Sequence, residues 1–158
     1  MPTDALIESL EKEIQAADHP RELAVDVMAA IQARDGHLTD AGVAEAARLL
    51  GMDPVAVEEL ATFYTFIYRE PVGRYVIHIC DSVVCWMEGA ETIGGHLMKR
   101  LGIQMGETTP DGRFTLLPVC CIGYCDRAPA VLINKKAYGP LTIPLLDEII
   151  DRLSKETE

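Results

Sequence analysis

Four of the five cysteines in this 158-residue chain fall into two tight pairs. Cys80 and Cys85 flank Asp81-Ser82-Val83-Val84, and Cys121 and Cys125 flank Ile122-Gly123-Tyr124. The fifth, Cys120, abuts the second pair. Thiolates are the soft ligands of zinc and of iron–sulfur clusters, and four of them from two loops can close around one inorganic core. Where thiols stay reduced, clustered cysteines point to metal or redox chemistry more than to structural disulfides.

Spacing separates the candidate centres. Structural zinc favours pairs separated by two to four residues, so Cys-x4-Cys with Cys-x3-Cys lies at the edge of its range. The compact C-x2-C-x2-C run of a bacterial four-iron ferredoxin is absent, and so is the C-x-x-C of thioredoxin chemistry. A Rieske centre needs two histidines beside two cysteines. His78 lies two residues before Cys80, but the second loop has no histidine. A [2Fe–2S] cluster with four cysteine ligands fits best, while spacing alone leaves zinc and a disulfide open. With its four thiolates such a cluster carries about −2, and about −3 when reduced. An anion of that kind is stabilised by backbone N–H donors and by a nearby helix N-terminus. Gly123 stands where a loop wrapping an anion wants a residue that tolerates positive φ.

The elements that position these residues change character half-way along. Residues 4–17 are expected to form a helix with Leu6, Leu10 and Ile14 on its apolar face. A second helix, 20–34, starts at Pro20 and stops at Gly36, with Leu23, Val27 and Ile31 inward. Thr39 suits the N-cap of a third, 40–50, that stops at Gly51. Asp53-Pro54 opens a fourth with Val57, Leu60, Ala61 and Tyr64 inward. Past Glu70-Pro71-Val72-Gly73 the period becomes that of strands. Residues 74–80 are apolar on both faces, as in the interior of a sheet. A helix is expected over 86–101 with Trp86, Ala90, Ile93, Leu97 and Leu101 inward, its Gly94-Gly95 allowing close packing on a sheet. Thr109-Pro110-Asp111-Gly112 is a turn. Strands at 113–119 and 130–134, a hairpin turn at Lys135-Lys136, a short strand and a helix 142–153 complete the chain. The fold class is α+β: an N-terminal helical bundle, residues 1–70, and an α/β domain with helices on a mixed sheet, residues 71–158.

Charge narrows the partners. The net charge is −11, of which residues 1–70 carry −9 and residues 71–158 carry −2. The acidity therefore belongs mostly to the cysteine-free half and serves solubility. It would repel a phosphate backbone, so nucleic acid is not an expected partner. Residues 40–66 have the outline of a helix-turn-helix, but the would-be recognition segment 49–68 holds Asp53, Glu58 and Glu59 and no lysine or arginine,. Residues 1–20 carry Asp4, Glu8, Glu11, Glu13 and Asp18 and do not read as a signal peptide. No apolar run reaches the ~18 residues of a membrane span. The expected compartment is the cytoplasm.

The two cysteine pairs occur with Ala61-Thr62-Phe63-Tyr64, Pro71-Val72-Gly73, Gly106-Glu107-Thr108-Thr109-Pro110-Asp111-Gly112 and Cys121-Ile122-Gly123-Tyr124-Cys125-Asp126-Arg127-Ala128-Pro129. In this combination the chain resembles the 24 kDa subunit family of respiratory complex I, the NADH:quinone oxidoreductase, over roughly residues 20–153. The same module recurs in NAD-linked hydrogenases and formate dehydrogenases. The resemblance implies a thioredoxin-like ferredoxin domain after the helical bundle, and a [2Fe–2S] cluster on Cys80, Cys85, Cys121 and Cys125. It implies an electron carrier with no catalytic residues of its own, close to the FMN of a larger NADH-binding flavoprotein subunit. Through that complex the chain would lie at the cytoplasmic face of the inner membrane. The family pattern, cysteine-aliphatic-glycine-x-cysteine, selects Cys121 over Cys120 as the ligand. A zinc-stabilised adaptor without redox function is the alternative outside this class.

The remaining residues carry plainer expectations. Cys120 reads as a small buried apolar residue at a strand end. Val83 and Val84 are expected to shield the cluster from water. His78 shares a strand face with Cys80 by parity and reads as a core histidine. Phe63, Tyr64, Phe66 and Tyr68 read as an aromatic packing group between the two halves. Arg127 reads as an ordinary solvated arginine.

Overall fold

The computed structural model describes residues 2–156. These fall into two compact units, Met1–Pro71 and Val72–Glu158.

The first unit is helical. It contains α1 (Pro2–Ala16), a 3-10 turn (Pro20–Leu23), α2 (Ala24–Asp35), α3 (Asp40–Leu50) and α4 (Pro54–Phe63). The local signals act as expected. The Thr39 hydroxyl accepts the Gly42 N–H at 3.0 Å to start α3, and the Asp53 carboxylate accepts the Val55 N–H at 2.8 Å to start α4,. Met28, Ile31, Leu38 and Val57 are fully buried at the centre. One expectation fails in α1, where Leu10 and Ile14 are buried but Leu6 is 49% exposed. Ile7 packs against the core in its place. A strict four-residue spacing drifts around a 3.6-residue helix, so Leu6 leaves the face that Leu10 and Ile14 share.

The stretch after α4 is pinned by side chains rather than by regular structure. The Gln32 amide donates to the Phe66 carbonyl at 2.9 Å and accepts the Tyr68 N–H. Arg69 pairs with Glu58 at 2.9 Å and with Asp40 at 2.7 Å, and also donates to the Leu38 carbonyl. Within the aromatic group, Tyr64 packs edge-on to Phe63 and tilted to Phe66, while Phe63 and Phe66 remain exposed.

The second unit is built on a four-stranded sheet in the order β2-β1-β3-β4. Its strands are β1 (Tyr75–Cys80), β2 (Phe114–Val119), β3 (Val131–Ile133) and β4 (Lys136–Tyr138). β1 runs parallel to β2 and antiparallel to β3, so it is interior, and all six of its residues are buried. A parallel pair requires a crossover, which two helices supply: α5 (Val83–Met87) and α6 (Ala90–Leu101). The single helix expected over 86–101 is thus two, broken at Gly89 with φ +93°. The break rotates Trp86 off the stripe of Ala90, Ile93 and Leu97, leaving it 57% exposed. The hairpin turn falls one residue earlier than expected, at Asn134 and Lys135, where Asn134 takes φ +52°.

α7 (Ile143–Lys155) closes the unit. Thr142 caps it through the Leu145 N–H, and Leu146, Ile149, Ile150 and Leu153 are buried. At its far end Arg113 donates to the carbonyls of Leu153 and Ser154 at 3.1 and 2.7 Å, satisfying acceptors a helix end leaves open. His96 on α6 meets Asp147 on α7 at 2.8 Å. Among the described residues, no helix is long and apolar enough to cross a membrane.

Candidate metal centre

The end of β1 delivers the first thiol. Sheet neighbours on both sides leave Cys80 1% exposed. The chain then turns through Asp81, whose N–H bonds the Val119 carbonyl of β2 at 3.0 Å, and enters α5. That short helix is amphipathic in a useful sense. It directs Cys85 inward, also 1% exposed, and leaves Val83, Val84, Trp86 and Met87 on the surface. Val83 is 64% and Val84 37% exposed. Cys85 was expected just before a helix; it lies inside one.

The inner pair sits in a small apolar nest. Cys80 and Cys85 pack with Ala90 and Ala130, bordered by Val119, Ile122, Tyr124 and Ala128. Ala130 touches both sides of the site, since its carbonyl accepts the Cys80 N–H at 3.4 Å and its backbone works against the rise of the Cys85 thiol. Burial, and then the adjoining Cys80 thiol, push the Cys85 thiol up to about 11. A thiol so placed keeps its proton until a cation takes its place.

The second loop is open to solvent. Cys121 and Cys125 are both exposed, and their sulfurs lie 4.0 Å apart. Gly123 adopts φ +74° and its N–H points at the Cys121 sulfur at 3.4 Å. That donor is the chief reason the Cys121 thiol lies below its usual range, with Cys125, Ser82 and Cys80 also contributing. Cys125, in contact with Cys121, is raised. Cys125 opens a 3-10 turn, Cys125–Arg127. The Cys80 thiol in turn reaches the Cys120 carbonyl at 3.7 Å. The two pairs therefore face each other across the ends of β1 and β2.

The fit to a cluster can be read from these positions. A tetrahedral metal with M–S bonds of ~2.3 Å holds its thiolates ~3.8 Å apart, close to the Cys121–Cys125 separation of 4.0 Å. Among the described residues, no three His, Cys, Asp or Glu side chains close on a single point. A two-iron core needs only two thiolates at each metal, which suits one inner and one outer pair.

The model of the thioredoxin-like [2Fe–2S] ferredoxin family matches residues 10–154. The chain belongs to that family. It is 44% identical over 131 residues to an NADH-quinone oxidoreductase subunit of Pseudomonas aeruginosa, covering 83% of this chain and 79% of that one. It is 41% identical over 145 residues to the same-named subunit of Escherichia coli, covering 92% and 87%. Among solved structures it is similar to an NAD+-reducing [NiFe]-hydrogenase in the air-oxidised state, with a TM-score of 0.69 and 30% identity. That likeness covers 81% of this chain but only 22% of the hydrogenase chain. As a thioredoxin-like ferredoxin, the chain takes a [2Fe–2S] cluster as its cofactor.

Several features of the ferredoxin site were not read from the sequence. Cys120 is exposed, not a buried strand-end residue, because β2 ends at Val119 and the next residue already lies outside the sheet. Ala130 gave no signal of its own, since its role comes from the β1–β3 pairing. A cleft of about 320 Å³ lies beside Cys80, with Trp86 and Met98 in its wall and Gly94 and Gly95 along one side. Those glycines do not serve the expected tight packing on the sheet. A Cβ at Gly94 would meet Ile79 only at 3.8 Å, and one at Gly95 would meet nothing. His78 is buried in β1, as expected of a core histidine. Arg127 is half-exposed beside Asp126.

Proposed function

We propose that this protein is the electron-transfer subunit of an NADH:quinone oxidoreductase, with a [2Fe–2S] cluster held by Cys80, Cys85, Cys121 and Cys125. The observation that carries the reading is the meeting of a buried and an open cysteine pair at the ends of two adjacent parallel strands. When bound, the cluster supplies a one-electron redox centre. The chain's own residues supply the rest. Cys80 and Cys85 anchor one side in an apolar nest, and the Gly123 N–H offsets thiolate charge at Cys121 on the other,. The helical unit, taken as the domain 1–70, and the ferredoxin domain, 71–158, divide this work, since only the second carries cysteines.

The partner would be an FMN-bearing, NADH-oxidising flavoprotein subunit, with the complex at the cytoplasmic face of the membrane. Support comes from the exposed pair, which leaves the cluster's outer edge accessible to an electron donor, and from Val83, Trp86 and Met87 standing exposed on the adjoining α5,. The hydrogenase likeness favours a second reading, the equivalent subunit of an NAD-linked hydrogenase or formate dehydrogenase. The longer coverage of the quinone oxidoreductase relatives favours the first.

Metal and sulfide analysis of anaerobically purified protein tests the centre. About two irons and two acid-labile sulfides per chain are expected, with an electron paramagnetic resonance signal after dithionite reduction. Stoichiometric zinc without iron would defeat the reading in favour of a structural adaptor. NADH should reduce the cluster only when an FMN-bearing NADH-oxidising subunit is added; reduction by NADH alone would remove the need for that partner.

A further inference from the structure

We propose that Gly139 is a positioning residue for the second cysteine loop: the absence of a side chain there sets where Arg127 and Ala130 lie, and through them the surroundings of Cys125 and Cys85. The inference rests on the ligand assignment above. Gly139 follows β4 and is 14 residues past Cys125 in sequence, yet its backbone runs directly under the loop. A Cβ built on it would overlap the Arg127 carbonyl oxygen, and would sit 3.2 Å from that carbonyl's carbon and 3.3 Å from the Ala130 Cβ. The obstacle is backbone, which cannot rotate away as a side-chain tip can. The same stretch is tied to the loop by the Leu141 N–H, which donates to the Pro129 carbonyl at 2.9 Å. The 139–141 segment is thus a floor pressed against residues 127–130.

What rests on that floor is the site itself. Arg127 ends the 3-10 turn that Cys125 begins. Ala130 is 2% exposed in the nest with Cys80 and Cys85. Its carbonyl accepts the Cys80 N–H at 3.4 Å, and its backbone packs against Cys85 in the same nest. Any side chain at 139 must lift the Arg127 carbonyl, shift Ala130, or both. Lifting the first moves Cys125 relative to Cys121. Shifting the second moves the backbone dipole that favours charge on the Cys85 sulfur, and the polar surroundings of cluster sulfurs are among the factors that set the potential. Moving a favourable dipole away from a thiolate disfavours the more negative, reduced form.

Gly139→Ala is the test, with Gly95→Ala as control because a Cβ at 95 meets nothing. The readouts are the electron paramagnetic resonance g-values of the dithionite-reduced full chain and its midpoint potential, beside far-ultraviolet circular dichroism. The expected result is a native dichroism spectrum, altered g-values and a potential shifted to the negative side for Gly139→Ala, with Gly95→Ala like the parent on all three. Parent-like g-values and potential in Gly139→Ala overturn the proposal. Should that variant not accumulate, the pair Arg127→Gly with Gly139→Ala is compared with Arg127→Gly alone, since glycine at 127 lets the obstructing carbonyl swing clear. Recovery of a folded, iron-bearing chain in the pair supports the proposal, and a pair that still does not accumulate while Arg127→Gly alone does overturns it. Failure of the ligand assignment is distinguishable, because it would appear as a parent-like signal in a serine variant of Cys80, Cys85, Cys121 or Cys125, or as no iron signal in the parent protein.

Discussion

The unequal burial of the cysteines predicts an order of reactivity. In the metal-free chain, a small alkylating reagent should modify Cys120, Cys121 and Cys125 quickly, because all three are exposed, and Cys80 and Cys85 slowly, because each is 1% exposed,. Reaching the inner pair requires α5 to lift off the nest of Cys80, Cys85, Ala90 and Ala130. Uncovering roughly 100 Å² of apolar surface at ~25 cal/mol/Å² costs ~2.5 kcal/mol, a local opening that slows modification ~70-fold. The cluster-loaded chain should behave differently. Cys121 and Cys125 become protected along with the inner pair, and Cys120 alone stays reactive. Timed alkylation with peptide mass mapping reads both states. Inner cysteines that react as fast as Cys120 in the metal-free chain would refute the burial argument. A loaded chain in which Cys120 is protected and Cys121 is modified would refute the ligand assignment and move the metal one residue toward β2.

Serine in place of Cys80, Cys85, Cys121 or Cys125 should abolish or grossly change the iron signal, while Cys120→Ser should leave both signal and iron content intact. Gly123→Ala places a Cβ at φ +74°, which costs ~1–2 kcal/mol for an L-residue; faster loss of visible absorbance from the loaded protein on warming should register it. Leu146→Ala empties a fully buried position in α7 and should lower stability by ~2–5 kcal/mol in urea unfolding. The last concerns pH. Hydrogen bonds from Arg34 hold the carboxyls of Asp35 and Glu45 below their ordinary values. Groups lowered in the folded state stabilise it above their unfolded values, and that contribution is lost as pH falls through the folded ones. Arg34→Met should therefore reduce stability by ~0.3–1 kcal/mol at neutral pH. The difference from the parent should vanish in strong acid; one that persists at pH 2 would show that Arg34 acts through packing instead.

What the sequence disclosed is what neighbouring residues decide among themselves. Thr39, Asp53 and Thr142 cap helices through donors two or three residues away, so their effect is legible without a fold. β1 was legible because six consecutive apolar-leaning residues have no solvent face to offer. The break between α5 and α6 was missed because an apolar residue every three or four positions continues through Met87-Glu88-Gly89, and periodicity alone does not register one glycine at φ +93°. That error carried Trp86 into the core and Cys85 out of its helix. The positions of Ala130 and Gly139 lay beyond local reasoning. Both are fixed by contacts between segments that the pairing of β1, β3 and β4 brings together, and neither residue type has a signature of its own.

The inequality between the two pairs also bears on how the centre works. A cluster enclosed on all sides would be hard to reduce, since burial in an apolar setting disfavours added negative charge, and it would lie far from any donor. A cluster open on all sides would exchange ligands with water. Here the inner sulfurs are locked by β1 and α5, while the outer ones stand on a loop that a partner surface can cover. The charge pattern is consistent with this division. The ferredoxin unit carries little of the chain's net charge, and residues 1–70 carry most of it. An electron added at the cysteine loops is thus opposed mainly by the local thiolates, against which the Gly123 N–H is aimed and which the Ala130 backbone also favours. The two backbone groups differ in setting, one on an exposed turn and the other inside the nest. The Ala130 backbone, 2% exposed, acts at lower local dielectric and should move the potential more when disturbed than the Gly123 N–H does,. Gly139→Ala, which pushes on that floor, should therefore change the potential by more than Gly123→Ala does, and the reverse order would place the controlling dipoles on the solvent side of the cluster.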